Sequence, residues 1–231
     1  MSLGDDERAA LRQEIERDGF EADPFVVEGE WVPTWGLNLA VGWPLLGDRW
    51  KYEAMADSLR ALDPGLFVYP YGQTHITVLT LVSFKEHVSP SLEEVRGLET
   101  LIPVVRETVA PLVEGLGPFP LEIGAPVLAK RAAFWPIADP TGAVARLRQQ
   151  VLPALRSCAP LFDRCQSPRA VHSTLARFRT VPAPGFLERF ERWAHDRALG
   201  PITIGDVLLT AEPRPYMRAG EVLVRWPLAP L

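Results

Sequence analysis

The sequence predicts a mixed α/β or α+β fold with two similar lobes, and three observations support this prediction. Apolar segments with strand and helix patterns alternate along the chain. No glycine-rich turn joins a strand to a helix, which argues against a doubly wound nucleotide-binding sheet. A histidine two residues before a threonine occurs once in each half of the chain, at His75 and His172, in β-rich apolar runs. We therefore expect one motif strand in each lobe, with a cleft between the lobes.

Residues 1–34 are predicted to form a helix and a connecting arm, and residues 35–231 are predicted to form a single bilobal domain. The first elements of this chain are as follows. Ser91 and Glu94 form a capping-box pattern at the start of a long helical segment, which Pro103 and Pro111 are expected to break or kink. The predicted helices are 5–18, 48–62 and 91–114, and the predicted strands are 35–41, 66–70 and 75–84.

In the C-terminal half, the same patterns predict five strands and two helices. Lys130 and Arg131 fall in a predicted hairpin turn, where exposure to solvent is expected, although they could also flank the cleft. The predicted strands are 121–129, 132–138, 170–178, 202–210 and 222–226, and the predicted helices are 140–157 and 186–197.

Composition and charge limit the classes of function. The chain has 231 residues, of which 47% are hydrophobic and 23% charged, as in ordinary globular proteins. The net charge is −5, which disfavours an extended nucleic-acid interface but is compatible with a small phosphate ester or an RNA terminus. No signal-peptide core or membrane span is evident, and Cys158 and Cys165 indicate no disulfide framework. We therefore expect a cytoplasmic protein with no membrane interaction.

The motif His-x-Thr has a specific geometric meaning in a strand. Residues i and i+2 lie on the same face, so His75 lies beside Thr77 and His172 beside Thr174. Two imidazoles can act as acid and base near neutral pH, and hydroxyl groups can donate to phosphoryl oxygens. The sequence therefore predicts a paired acid/base site suited to a phosphate ester.

The short pattern alone is not specific. His87 followed by Ser89 also matches, but His87 lies at the end of a predicted strand and the next residues run into a helix start, so it is interpreted as a solvated loop or cap residue. His195 lies late in a predicted helix and is interpreted as a surface residue. Each motif histidine, taken singly, would be interpreted as a core or strand-edge residue. Strand context and the separation of the two motifs favour a paired site instead.

The segments HITVLTLVSF and HSTLARFR resemble the paired motifs of the 2H phosphoesterase superfamily, the LigT-like group that includes 2',3'-cyclic phosphodiesterases and so-called 2'-5' RNA ligases. The resemblance implies a bilobal α+β fold in which two antiparallel sheets face a central cleft and helices lie outside. It also implies a metal-independent site without cofactors. His75 and His172 would be the acid/base pair, and Thr77 and Thr174 the phosphate-binding hydroxyls.

The family often has an arginine five residues after the second histidine, and this position is Arg177. Strict alternation places Arg177 on the opposite face from His172 and Thr174, so it reaches a phosphate only if the strand bulges or curls. A solvent-facing or helix-pairing arginine is the alternative. The sequence departs from the family at Ser173, where an apolar residue is usual, and at Thr80, where an aromatic residue is frequent. The second departure leaves nucleotide preference open.

These observations favour a phosphoesterase that opens a cyclic phosphodiester. A zinc site from Cys158, Cys165 and His172 lacks the spacing of known cysteine motifs, and no serine-hydrolase or P-loop motif occurs. Three alternatives stay open: a non-catalytic module that binds a phosphorylated ligand or RNA end, an enzyme for a non-nucleotide cyclic phosphate, and RNA ligation. The sequence does not predict the oligomeric state.

Overall fold

The structure is a computed structural model that describes residues 3–27 and 29–229. The predicted domain limits at residues 1 and 231, and residue 28 of the arm, lie outside these ranges. The helices are α1 (Asp5–Asp18), α2 (Arg49–Arg60), α3 (Leu92–Glu99), α4 (Leu101–Glu114), α5 (Ala143–Arg156) and α6 (Phe186–Ala194). The strands are β1 (Leu37–Val41), β2 (Leu66–Val68), β3 (Ile76–Val82), β4 (Phe119–Ile123), β5 (Val127–Ala129), β6 (Ala132–Ala138), β7 (His172–Phe178), β8 (Gly200–Ile204), β9 (Asp206–Ala211) and β10 (Glu221–Pro227).

Two antiparallel sheets form the framework. The first has four strands in the order β10-β9-β1-β3, and the second has the order β2-β7-β6-β4-β8 with β5 also paired to β6. The motif strands β3 and β7 therefore belong to different sheets, as the two-lobed prediction requires. The α+β class with two antiparallel sheets is confirmed.

Local chemistry explains where several helices begin. The Asp48 carboxylate accepts a hydrogen bond from the Lys51 N–H at the start of α2. The predicted capping box of Ser91 and Glu94 is present at the start of α3. Asp139 accepts bonds from the first backbone N–H groups of α5 and so replaces the missing helical partners.

One continuous apolar core joins the helices to the sheets. Helix α4 contributes a buried stripe at Val105, Val109 and Val113, spaced four residues apart. A second cluster lies where the arm meets the ends of the strands and consists of Val26, Trp31, Phe67, Tyr69, Phe84 and Tyr216. No helix within the described ranges is long and apolar enough to cross a membrane.

Three predicted element boundaries were wrong. The helix at 91–114 breaks at Thr100 rather than at a proline, and Pro103 lies in the first turn of α4, where a missing N–H is tolerated. The predicted strand 121–129 is two strands, β4 and β5. The predicted strand 202–210 is likewise interrupted at Gly205 and forms β8 in one sheet and β9 in the other.

Candidate active site

A cleft of about 220 Å³ lies between the two sheets, with β3 on one wall and β7 on the other. All five residues that the sequence predicts for the site line this cleft. They are His75, Thr77, His172, Thr174 and Arg177. The structure therefore brings together residues from both halves of the chain, although larger hollows elsewhere on the surface reach about 490 Å³.

The two histidines are held in the same way. His75 Nδ1 lies 2.8 Å from the carbonyl oxygen of Gln73, and His172 Nδ1 lies 3.1 Å from that of Ala170. A carbonyl oxygen only accepts hydrogen bonds, so Nδ1 carries the proton in each ring. In the neutral imidazole this arrangement leaves Nε2 as the proton acceptor.

Each imidazole also packs against an aromatic ring. Trp43 lies 6.0 Å from His75 between ring centroids, and Phe134 lies 5.4 Å from His172. Burial lowers the pKa of both histidines below the ordinary value, and the nearby charge of Arg177 lowers both further. The charge of His172 lowers the pKa of His75 further.

Strand β3 directs three hydroxyl side chains into the cleft because it bulges twice. Its register against β1 skips Val78 and Leu81, so two buried residues separate successive cleft-facing residues. Thr77, Thr80 and Ser83 therefore all line the cleft at intervals of three. Without the bulges, alternation would turn Thr80 away from Thr77.

Strand β7 contains the corresponding bulge. Consecutive residues of β6 pair with Thr174 and Ala176, so Leu175 is left without a partner. This extra residue rotates Arg177 onto the face that already carries His172 and Thr174. The condition that the sequence analysis set for Arg177 is therefore met, and the alternative of a solvent-facing side chain was wrong.

The two motif strands are equivalent position by position. In each motif, three residues line the cleft: the histidine, the residue two positions after it and the residue five positions after it. A bulge lies between the second and the third of these residues. The matched pairs are His75 with His172, Thr77 with Thr174, and Thr80 with Arg177. The bulge thus brings a polar residue five positions after each motif histidine into the cleft wall.

Arg177 is fixed by residues that the sequence analysis did not single out. Its Nε donates to Tyr69 Oη at 3.2 Å and its Nη1 donates to Asp23 Oδ2 at 2.8 Å. The guanidinium lies 3.6 Å above the centre of the Tyr216 ring. Tyr216 Oη in turn donates to Asp23 at 2.7 Å. The arm thus supplies a buried carboxylate to the cleft arginine.

A second missed group is Glu212, the only acidic residue that lines the cleft among the described residues. Its Oε2 accepts from Asn38 Nδ2 at 3.0 Å and its Oε1 accepts from the Met217 N–H at 2.9 Å. Burial raises the pKa of Glu212 to about 7. The sequence held one signal for this pair, since Asn38 interrupts the apolar run of β1.

Other candidates from the sequence lie outside the cleft wall. His195 is exposed and contacts Asp196, and His87 is not among the cleft-lining residues. Lys130 and Arg131 form the β5–β6 turn, as predicted, and make ion pairs with acidic residues of α1 and the arm, including Glu21. They anchor the N-terminal segment and do not flank the cleft.

Nor do the two cysteines join the cleft. Cys158 is exposed, whereas Cys165 is buried with its thiol on the Leu81 carbonyl, and burial raises its pKa to about 11. Among residues 3–27 and 29–229, no group of three or more histidine, cysteine or acidic side chains has an arrangement suited to a metal ion.

Neither the known protein families nor the curated proteins include a match to this chain. Solved structures do match. TT0787 of Thermus thermophilus has 19% sequence identity and a TM-score of 0.53, covering 84% of this chain and 97% of its own. E. coli LigT complexed with 3'-AMP has 16% identity and a TM-score of 0.50, covering 86% and 99%. The chain has a LigT-like fold. A conserved protein of unknown function from Agrobacterium tumefaciens, ATU0111, is similar over 93% of this chain and 97% of its own, with 16% identity and a TM-score of 0.53.

The LigT-like likeness confirms the predicted resemblance at the level of the fold. At these identities it does not extend to activity, so the roles of the cleft residues rest on their own geometry.

Proposed function

We propose that this LigT-like chain is a phosphoesterase that opens a cyclic phosphodiester, such as a 2',3'-cyclic nucleotide or an RNA terminus. The observation that carries the proposal is the matched pair of imidazoles. His75 and His172 have the same Nδ1 tether, come from opposite sheets and share one cleft with Thr77 and Thr174. A site that only bound phosphate would need hydroxyls and a cation, but it would not need two imidazoles with free Nε2 atoms.

The proposed step is an in-line displacement at phosphorus. One histidine accepts a proton through Nε2 from a water molecule as the water oxygen bonds to phosphorus. The other histidine, protonated on Nε2, gives a proton to the ester oxygen as its bond to phosphorus breaks. The products are a phosphomonoester and a free hydroxyl, and the two histidines have exchanged protonation states. Which histidine is the base depends on how the substrate lies in the cleft.

The remaining cleft groups suit a negatively charged phosphoryl centre. The hydroxyls of Thr77 and Thr174 can donate to its non-bridging oxygens, and Arg177 supplies the positive charge of the same wall. The structure of E. coli LigT with 3'-AMP supports a nucleotide-sized phosphate ester as the ligand class.

The proposal is tested by hydrolysis of 2',3'-cyclic nucleotides in the presence of EDTA. Wild-type turnover that survives chelation, and is lost in both H75A and H172A, is the expected result. H195A is the matched control because that histidine is exposed and lies outside the cleft wall. Loss of turnover on chelation would point to a metal enzyme.

Two further outcomes identify the alternatives. Binding of the cyclic nucleotide without turnover by the wild type would favour the binding module. Turnover of a sugar cyclic phosphate but not of any nucleotide would favour the non-nucleotide enzyme.

A further inference from the structure

One end of the cleft is closed by segments that are far apart in the chain. The described arm residues Val26 and Trp31 pack with Tyr69, Phe84 and Tyr216, and the last three also line the cleft. The residues of the cleft wall that form this closed end are Asn38, Tyr69, Phe84, Arg177, Glu212 and Tyr216.

The loop between β9 and β10 is strained where it forms this end. Tyr216 and Met217 have φ angles of 60° and 61°, which non-glycine residues rarely adopt. This backbone places the Tyr216 ring over Arg177 and the Met217 N–H on Glu212. Strain of this kind persists where surrounding contacts hold it, and it is concentrated at functional sites.

The charges at the closed end do not favour an anion. Two cations from the described part of the chain line the cleft: Lys85 is exposed, whereas Arg177, the cation within the closed end, already pairs with Asp23, which is only 3% exposed. Glu212 adds a second carboxyl that is 5% exposed and has no ion-pair partner among the described residues. A second phosphate at this end, in addition to the cyclic ester, would meet the two buried carboxyls of Asp23 and Glu212 with only Arg177 to balance them, so like-charge repulsion would oppose it.

The aromatic faces at this end are not free to stack on a base. The guanidinium of Arg177 covers one face of Tyr216, and Phe84 packs edge-on with both Tyr216 and Phe25. Hydrogen-bonding groups are available instead. Tyr69 has a free hydroxyl proton, Arg177 has N–H groups beyond those bound to Tyr69 and Asp23, and Glu212 has unfilled acceptor positions. Hydroxyl groups of a ligand can donate and accept, and so match this set.

We infer that the closed end is a subsite for an uncharged, hydroxyl-bearing part of the substrate, and that Asp23 and Glu212 exclude a second phosphate group from it. The inference rests on the proposed function, because the cyclic ester itself is placed at the histidines and threonines. It narrows the substrate to a compact cyclic phosphate with a free hydroxyl and argues against an RNA terminus, which carries a 5'-phosphodiester.

Two substrates that differ only at the 5' position of the ribose test the inference. Uridine 2',3'-cyclic phosphate has a free 5'-hydroxyl, and its 5'-(methyl phosphate) diester carries one fixed negative charge. Wild-type kcat/KM is expected to favour the free hydroxyl by about tenfold at a pH of about 8, as expected for one unfavourable charge contact in a partly buried site. E212Q is expected to reduce this preference, because the amide carries no charge. Its oxygen can still accept from the Met217 N–H, and its NH2 can donate to Asn38 once the Asn38 amide turns its oxygen toward it.

The preference should also depend on pH in a way that identifies Glu212. The charged and titratable groups around this carboxyl are Arg177 from β7, Asp23 from the arm, Tyr69 and Tyr216. With the pKa of Glu212 near 7, the preference should grow as pH rises from about 6 to about 8 and stay flat in E212Q. The histidines act on both substrates, so their titration cancels in the ratio.

Two variants complete the experiment. E221Q is the matched control, since Glu221 is an exposed carboxyl on β10, and it should keep the wild-type preference. D23N, which leaves Arg177 unpaired, should shift the preference toward the diester and gives a second reading if E212Q fails to fold.

An equal kcat/KM for the two substrates in the wild type would overturn the inference while leaving the proposed function standing. An unchanged preference in both E212Q and D23N would also overturn it. No turnover of either substrate would overturn the proposed function, and the inference with it.

Discussion

The two motif strands share a pattern but differ at its last position. The motif histidine lies immediately before β3 and at the first position of β7, and both strands then have a threonine and a bulge. After the bulge, β3 has Thr80 where β7 has Arg177. The shared part supplies the groups that the proposed chemistry needs in pairs. The difference puts a strand cation on the β7 side only, with Asp23 behind it. The comparison teaches that a symmetric reaction centre lies in an asymmetric binding cleft.

The largest expected effect comes from the shared histidines. H75A and H172A should each lower kcat/KM by about 10³, within the range for general acid–base groups. The double variant should lose little more than either single variant, because the two groups act as a unit. Steady-state kinetics on a 2',3'-cyclic nucleotide measure these losses. A loss of kcat/KM in only one of the two single variants would show that the two histidines are not equivalent.

The threonines should give a smaller but still matched effect. T77V and T174V remove a hydroxyl while preserving shape, and each should lower kcat by about 10² if the hydroxyl donates to the transition state. T80V serves as the comparison on the same wall, since Thr80 occupies the unmatched position, and its loss should be below about tenfold. Equal losses for all three would contradict the special role of the position two residues after each histidine.

Arg177 tests the asymmetric position directly. R177M should raise KM more than it lowers kcat, by about tenfold, because a charge-assisted contact with the phosphate is lost. It also leaves Asp23 buried without a cation, a change that typically costs about 3–5 kcal/mol of folding stability. Denaturant unfolding should therefore accompany the kinetics, and D23N/R177M is the variant that removes both charges. An unchanged KM in folded R177M would show that Arg177 does not contact the phosphate.

The smallest expected effect is a displacement of the pH profile. Burial lowers the pKa of both histidines, so the bell-shaped kcat/KM profile of the free enzyme should lose activity on its alkaline side below about pH 6.5. The sign follows from the mechanism, because activity ends when the acid histidine loses its Nε2 proton and both rings are neutral. R177M removes a nearby positive charge and should move this limb to higher pH. A limb that stays in place would show that Arg177 does not influence the pair.

The sequence predicted the pairs because they depend only on local geometry. A histidine and a threonine two positions apart lie on one side of any strand, so Thr77 and Thr174 followed from alternation. Arg177 could not be placed, because its direction depends on Leu175 being skipped by the neighbouring strand β6. A bulge is a property of two strands in register, and a single segment does not contain it.

The closed end of the cleft was missed for a related reason. Asn38 and Glu212 are 174 residues apart, and although Asn38 interrupts an apolar run, neither segment alone identifies the partner. Asp23 lies in an arm that was interpreted as a connection. The predicted strand boundaries were wrong where the neighbouring strand determines where a strand ends. At Gly205, for example, the chain passes from one sheet to the other.

The hydrogen bond between Tyr216 and Asp23 spans 193 residues of sequence. Contacts of such long range form late, because the chain must close a large loop before they stabilise it. A chain that has left the ribosome only as far as β9 contains both motif strands but lacks this bond and the ring that covers Arg177. The cleft arginine can pair with Asp23 and Tyr69 before then, but its covering ring arrives only when nearly the whole chain has been synthesised, so the closed end of the cleft is the last part of the site to be completed.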